Sequence, residues 1–194
     1  MDFFTADLHL DHDKAISYWG RPFSDVEEMN HTLIQNINDT VSASDRLWIL
    51  GDVTNRANTD RLQEIRGQIA CKHVHLIYGN HDRRCSQEHI FESVQEYKEL
   101  KTRYGRVVLF HYPIREWSAC HYGSVHLHGH IHSTGEYNTE NLRKKYSEWM
   151  LPHGHRPIDE NLGLRIYDVG VDANAYRPVS MESLAQLMDL KPVK

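Results

Sequence analysis

The 194-residue sequence predicts an α/β layered fold. Two observations carry this prediction. Short apolar, strand-like runs alternate with helix-like segments through the first half of the chain. Five of those runs also end on residues able to ligate a metal, as strands of one sheet do when they deliver side chains to a crevice at their carboxyl ends. In order, Phe3-Phe4-Thr5-Ala6 leads into Asp7-Leu8-His9. Residues 25 to 41 form an amphipathic helix, because Val26, Met29, Leu33, Ile37 and Val41 recur at helical intervals after Ser24-Asp25-Val26-Glu27, which has capping-box spacing. Leu47-Trp48-Ile49-Leu50 leads into Gly51-Asp52, and a helix over residues 59 to 66 stops at Gly67, a left-handed terminator. Val74 to Tyr78 leads into Gly79-Asn80-His81-Asp82, and a third helix begins after Ser86. A strand near residues 97 to 102 turns at Tyr104-Gly105 into the strand ending at Phe110 and His111. Val125-His126-Leu127-His128 runs into Gly129-His130-Ile131-His132. Residues 133 to 163 are polar, with poor periodicity, and are expected to be a surface excursion with a short helix around 140 to 149. Strand character returns at 164 to 169, and a short helix follows Ser180. One domain spanning residues 1 to 194 is expected at this length.

Composition narrows the function classes. Hydrophobic residues make up 40% and charged residues 25%, an ordinary globular balance. A formal net charge of −5, without a basic-aromatic stripe, counts against a nucleic-acid binder. No apolar stretch approaches the length of a bilayer span, and the start of the chain lacks the pattern of a signal peptide. Cys71, Cys85 and Cys120 are widely spaced and odd in number, which fits reduced thiols in a cytoplasmic protein. The unusual count is His, with 15 copies. It is the commonest metal ligand and the side chain that titrates near neutrality.

Each motif has an ordinary reading beside its chemical one. Asp7 and His9, two apart on extended backbone, point to one side and can meet one cation, or they are a turn Asp and a packing His. Asp52 has two oxygens and can bridge two cations, while Gly51 permits close backbone approach. Asn80 offers a neutral carbonyl oxygen. His81 then points at the reacting group, with Asp82 orienting it. His130 and His132 share one side of an extended segment, and His126 and His128 continue the alternation. For His126 a hydrated strand face is expected, and His128 is open. The Asp, His and Asn mixture without Cys suits two divalent cations of borderline-to-hard character, a phosphoryl-transfer device.

The ordered set resembles the calcineurin-like metallophosphoesterase superfamily. All five blocks occur in the family's order over residues 1 to 132, and Asp11-His12 and the tail from Asp168 to Asp172 look like the small bacterial and phage members. The resemblance implies a four-layer sandwich: two stacked mixed β-sheets flanked by helices. It implies one metal held by Asp7, His9, Asp52 and His132, and another held by Asp52, Asn80, His111 and His130. His81, paired with Asp82, is the implied catalytic residue. The expected activity is phosphodiester or phosphomonoester hydrolysis by a metal-bridging hydroxide, with two divalent ions, foremost manganese, but Fe, Zn or Ni fit too. By resemblance, His9 favours competence on diesters as well as monoesters. Alternatives are a nucleotide phosphatase or pyrophosphatase, and a non-catalytic interaction protein on the same fold. Substrates are expected to be small phosphoesters or nucleotides, with Arg83, Arg115 and His12 as candidate contacts. Arg21 and Arg84 stand behind them, and all four arginines also read as ordinary surface residues.

Overall fold

The computed structural model describes residues 1–82, 89–149 and 157–193. Its first sheet has the order β4-β3-β2-β1-β9, from Ser93–Gln95, His73–Ile77, Arg46–Ile49, Asp2–Thr5 and Val179–Ser180. The first four strands run parallel and β9 is antiparallel to β1. The second sheet has the order β5-β6-β7-β8, from Tyr97–Thr102, Gly105–Phe110, Val125–His128 and Ile166–Asp168. There β5 is antiparallel to β6, and β6, β7 and β8 are parallel. The helices are α1 (Lys14–Trp19), α2 (Val26–Thr40), α3 (Thr59–Gly67), α4 (Gly135–Arg143), α5 (Tyr146–Trp149) and α6 (Met181–Leu187).

Alternation along the strands builds the layers. Phe3, Leu47, Ile49, Val74 and Leu76 face one way and pack against Met29, Leu33 and Ile37 of α2 and Leu62 and Ile65 of α3. Phe4, Trp48, Leu50 and Ile77 face the other way and meet Val107, Leu109, Val125, Leu127 and Tyr167 of the second sheet. Val108 and Ile166 face outward and are covered by Trp117, Cys120 and Tyr146. The result is the stack of two mixed sheets between helical layers that the motifs implied. Cys71 and Cys120 are buried free thiols. No helix among the described residues is long and apolar enough to cross a membrane.

Several local expectations need correction. Asp25, not Ser24, caps α2: its side chain accepts from Glu28 N–H at 2.8 Å, and Glu28 accepts back from Ser24 N–H at 2.7 Å. The capping box is therefore displaced by one residue. α3 includes Gly67 and closes on Gln68 in right-handed geometry. The start of the helix expected after Ser86 lies outside the described residues, and its continuation is a turn leading into β4. Residues 133–163 carry α4 and α5, and α4 packs on β8. Asn138 and Asn141 are buried there, with Asn138 bonded to both backbone groups of Asp168 at 2.8 and 2.9 Å. Within this segment, α4 packs on β8 of the second sheet rather than projecting from the surface.

Candidate metal centre

The carboxyl ends of β1, β2, β3, β6 and β7 meet at one edge of the sandwich. Backbone pairing continues past β1 and β2, with Asp7 N–H on Gly51 O at 3.0 Å and His9 N–H on Asp52 O at 2.9 Å. The two sheets are joined there, because Val171 N–H donates to Ala6 O at 3.1 Å, while Gly129 N–H on His111 O at 3.0 Å extends the β6–β7 pairing of the second sheet. Glycines permit the approach: a Cβ on Gly79 would collide with the Asp52 carboxylate, and one on Gly51 (φ +90°) with the His111 ring.

All seven residues singled out in the sequence converge. One ligating atom each from Asp7, His9 and His132 lie within 4.8 Å of one another, as do those of Asp52, His111 and His130. Asp52 Oδ2 links the groups, 3.6 Å from His9 Nε2 and 3.5 Å from His111 Nε2. Asn80 Oδ1 lies 3.0 Å from His111 Nε2. The convergence is not achieved by the extended backbone expected for Asp7-x-His9 and His130-x-His132. Asp7, His9, Asp52, His130 and His132 all have positive φ, between 45° and 74°. Left-handed geometry is uncommon for residues other than glycine, and such strain clusters at functional sites.

The protonation pattern shows what the cluster suits. His111 Nδ1–H donates to Leu50 O at 2.8 Å, so the neutral ring turns an Nε2 lone pair toward the oxygens of Asn80 and Asp52. His132 Nδ1–H donates to the Asp172 carboxylate at 2.8 Å, leaving Nε2 for the cluster. Asp7 Oδ1 and His9 Nε2 are buried with no hydrogen-bond partner. Burial pushes Asp7 well above the usual carboxylate range, aided by Asp168 and Asp52, and burial also raises Asp52. Burial lowers His111 to about 4 and His9 to about 2, with His132 adding to the latter. Converging acceptors without donors, buried carboxylates driven upward and neutral imidazoles together fit divalent cations.

Other expected contacts are rearranged. Asp82 does not pair with His81. Its carboxylate accepts the N–H groups of Asp52 and Gly79, each at 2.8 Å, and of Val53 at 3.1 Å, so it shapes the loops beneath the cluster. Asn55 Oδ1 lies 3.1 Å from His81 Nδ1 in its stead, and His81 N–H donates to Asp52 Oδ1 at 2.8 Å. The His81 ring lies 5.0 Å from that of His9, and its ligating atom falls within 4.8 Å of those of His9 and Asp52. His12 is beside the cluster, its Nδ1 3.4 Å from His9 Nδ1. Arg115 faces elsewhere: it donates to Trp149 O at 3.1 Å, and Trp149 Nε1–H returns a bond to Arg115 O. Arg83 lies outside the described residues. His126 is fully buried rather than hydrated.

Three residues at this edge have roles that the sequence reading did not give them, Asp172 being named there only within the tail and Arg21 only as a candidate substrate contact or surface residue. Asp172 receives the His132 bond. Arg21, far from a surface residue, is buried and grips Asp172 with Nε and Nη2 at 2.8 and 3.0 Å. Trp19 stacks on His132, with ring centroids 3.5 Å apart and planes 8° from parallel. An aromatic residue before an Arg within the first loop was the available signal.

Comparison with known proteins agrees with the geometry. A family model for the calcineurin-like phosphoesterase superfamily domain matches residues 5–152. The uncharacterized protein MJ1445 of Methanocaldococcus jannaschii is 29% identical over 194 residues, covering 96% of this chain and 90% of that protein. The gene 66 protein of Mycobacterium phage L5 is 27% identical over 160 residues, covering 67% of this chain and 76% of its own. The crystal structure of AQ665, a protein of unknown function from Aquifex aeolicus, shares the fold with a TM-score of 0.68. It is 19% identical, with 96% of this chain and 98% of that chain covered.

Proposed function

The chain belongs to the calcineurin-like phosphoesterase superfamily, and on that premise we propose that it is a dinuclear metal-dependent phosphoesterase acting on small phosphodiesters and phosphomonoesters. The observation that carries the proposal is the set of donorless acceptors around Asp52. Asp7, His9, Asp52 and His132 would hold one divalent cation, and Asp52, Asn80, His111 and His130 the other. Bound there, two such cations would activate a water and neutralise phosphoryl oxygens.

The protein's own groups supply the rest. Donation of Nδ1–H to Leu50 and Asp172 fixes the tautomers of His111 and His132. Asn55 Oδ1 accepts from His81 Nδ1–H, so in its doubly protonated form His81 presents Nε2–H toward a bound phosphoester and passes that proton to the leaving oxygen, keeping Nδ1–H on Asn55. Asp82 holds the Gly51-Asp52 and Gly79 turns in register through three backbone bonds. Manganese is the first metal to try, with Fe, Zn and Ni as alternatives.

The test is turnover of an aryl phosphodiester and an aryl phosphomonoester, with and without manganese, alongside metal analysis. Metal-dependent release of aryl oxide is expected. Bound metal without turnover of either ester, or of a nucleotide, would leave a non-catalytic member of the family.

A further inference from the structure

Resting on that reading, we propose that Trp19, Arg21 and Asp172 are positioning residues that lock the orientation of His132 and register it against Asp7, and so set the affinity of one of the two metal sites.

An imidazole ligand can swing in two ways. It can rotate in its own plane, moving the lone pair off the ion, and it can tilt out of that plane. Asp172 opposes the first by accepting Nδ1–H at 2.8 Å. Trp19 opposes the second by lying flat against the ring, 3.5 Å between centroids. The same indole lies 4.7 Å from the His9 ring, so it borders two residues of one cluster.

Arg21 ties this arrangement to the backbone. All five of its N–H donors are engaged. Nε and one Nη2 proton hold the two oxygens of Asp172. The other Nη2 proton reaches Asp7 O at 2.7 Å, while Nη1 reaches Leu8 O at 2.9 Å and Met29 Sδ at 3.5 Å. One rigid fork, on a residue 151 positions from Asp172 along the chain, thus connects the carboxylate behind His132 to the backbone that carries Asp7. A lysine cannot make this connection, since it lacks the planar fork. The guanidinium also lies 5.2 Å over the Trp19 ring, which joins the two parts of the device. A carboxylate behind a metal-binding histidine commonly raises its basicity and fixes its direction. Here the carboxylate is itself fixed by a buried cation.

The experiment is calorimetric titration of metal-free protein with Mn²⁺ alone, for wild type, Trp19→Ala, Trp19→Phe, Asp172→Asn and Arg21→Lys, each checked by a thermal melt before metal is added. Wild type should show two sites. Trp19→Ala, Asp172→Asn and Arg21→Lys should weaken one of them by about 10–100-fold and leave the other unchanged. Trp19→Phe, which restores a flat ring, should return most of the lost affinity. Trp19 is half-buried at the end of α1 and belongs to neither sheet, so the Ala and Phe pair decides the outcome even if a buried-charge variant melts early. Wild type with no manganese bound overturns both the functional reading and this proposal. Two sites in wild type with unchanged affinities in Trp19→Ala and Asp172→Asn, or equal weakening of both sites, overturns this proposal alone.

Discussion

His126 and His128 lie on β7, and His130 and His132 follow within four residues, yet the two pairs have different surroundings. On β7 each imidazole finds both a donor and an acceptor. His126 Nδ1 lies 3.3 Å from Val108 O, and its Nε2 lies 3.3 Å from both the Ile114 N–H and Tyr112 O, so a donor and acceptors are at hand for either tautomer. His128 Nδ1–H donates to Gly129 O at 2.9 Å, and its Nε2 accepts from the Tyr137 hydroxyl at 3.3 Å. At the sheet edge His111 and His132 likewise donate through Nδ1–H, to Leu50 O and to Asp172, but at His111 and His9 no donor stands before Nε2 among the described residues. His111 Nε2 faces Asn80 and Asp52, and His9 Nε2 has no partner. Burial and neutrality do not separate the groups, since burial also takes His126 down to about 3. The second nitrogen separates them. A buried histidine with one donor and one acceptor is complete, whereas one whose second nitrogen meets only acceptors fits a cation.

Substitutions can break or sharpen this contrast. His111→Ala should have the largest effect, removing most turnover and one bound manganese. The loss should exceed the roughly 10–100-fold typical of outer-shell changes. Steady-state kinetics with metal analysis checks it, and full activity would return His111 to the complete class. His81→Ala should keep both metals while slowing turnover by about 10²–10⁴-fold, the range for proton transfer. A variant that loses metal instead would make His81 a ligand.

Asp82→Asn should act through stability. It places an amide against three backbone N–H groups and should cost on the order of 2 kcal/mol in a denaturant melt of metal-free protein. A pH profile addresses His126. Its folded pKa, about 3, lies below the ordinary value near 6.5, so its contribution is complete above pH 6.5 and is lost as pH falls toward 3. Between pH 7 and pH 5 this one group should remove about 2 kcal/mol of stability, and His126→Gln should flatten the slope by that amount. An unchanged slope would mean that His126 is not held neutral. Arg115→Ala should have the smallest effect, below about 1 kcal/mol and without a change in KM, since it makes a solvent-exposed hydrogen bond to the backbone of Trp149 and a ring contact with its half-buried indole.

The strands and their terminal residues were legible because an apolar run stopped by Gly, Asp or His is a local pattern. The faces of α2 were legible for the same reason. What escaped detection depends on partners distant in sequence. Polar Asn138 and Asn141 suggested surface, yet Asn138 is buried by its bonds to the β8 backbone. Asp82 follows His81 and was paired with it by adjacency, but its oxygens turn to loops about 30 residues back. α1 has six residues, too few for periodicity to show, and it ends at Trp19. The left-handed backbone at Asp7, His9, Asp52, His130 and His132 has no signature in residues that rarely adopt it. That these side chains gather at one edge was therefore legible, while the means of convergence was not.

The central claim, that acceptors without donors around Asp52 hold two cations, is tested most directly by anomalous diffraction at the manganese edge from crystals grown with Mn²⁺. Two peaks about 3.5–4 Å apart, one on each side of Asp52, are the expected result. No peak at this edge, or a single peak beside His126 and His128, would contradict it.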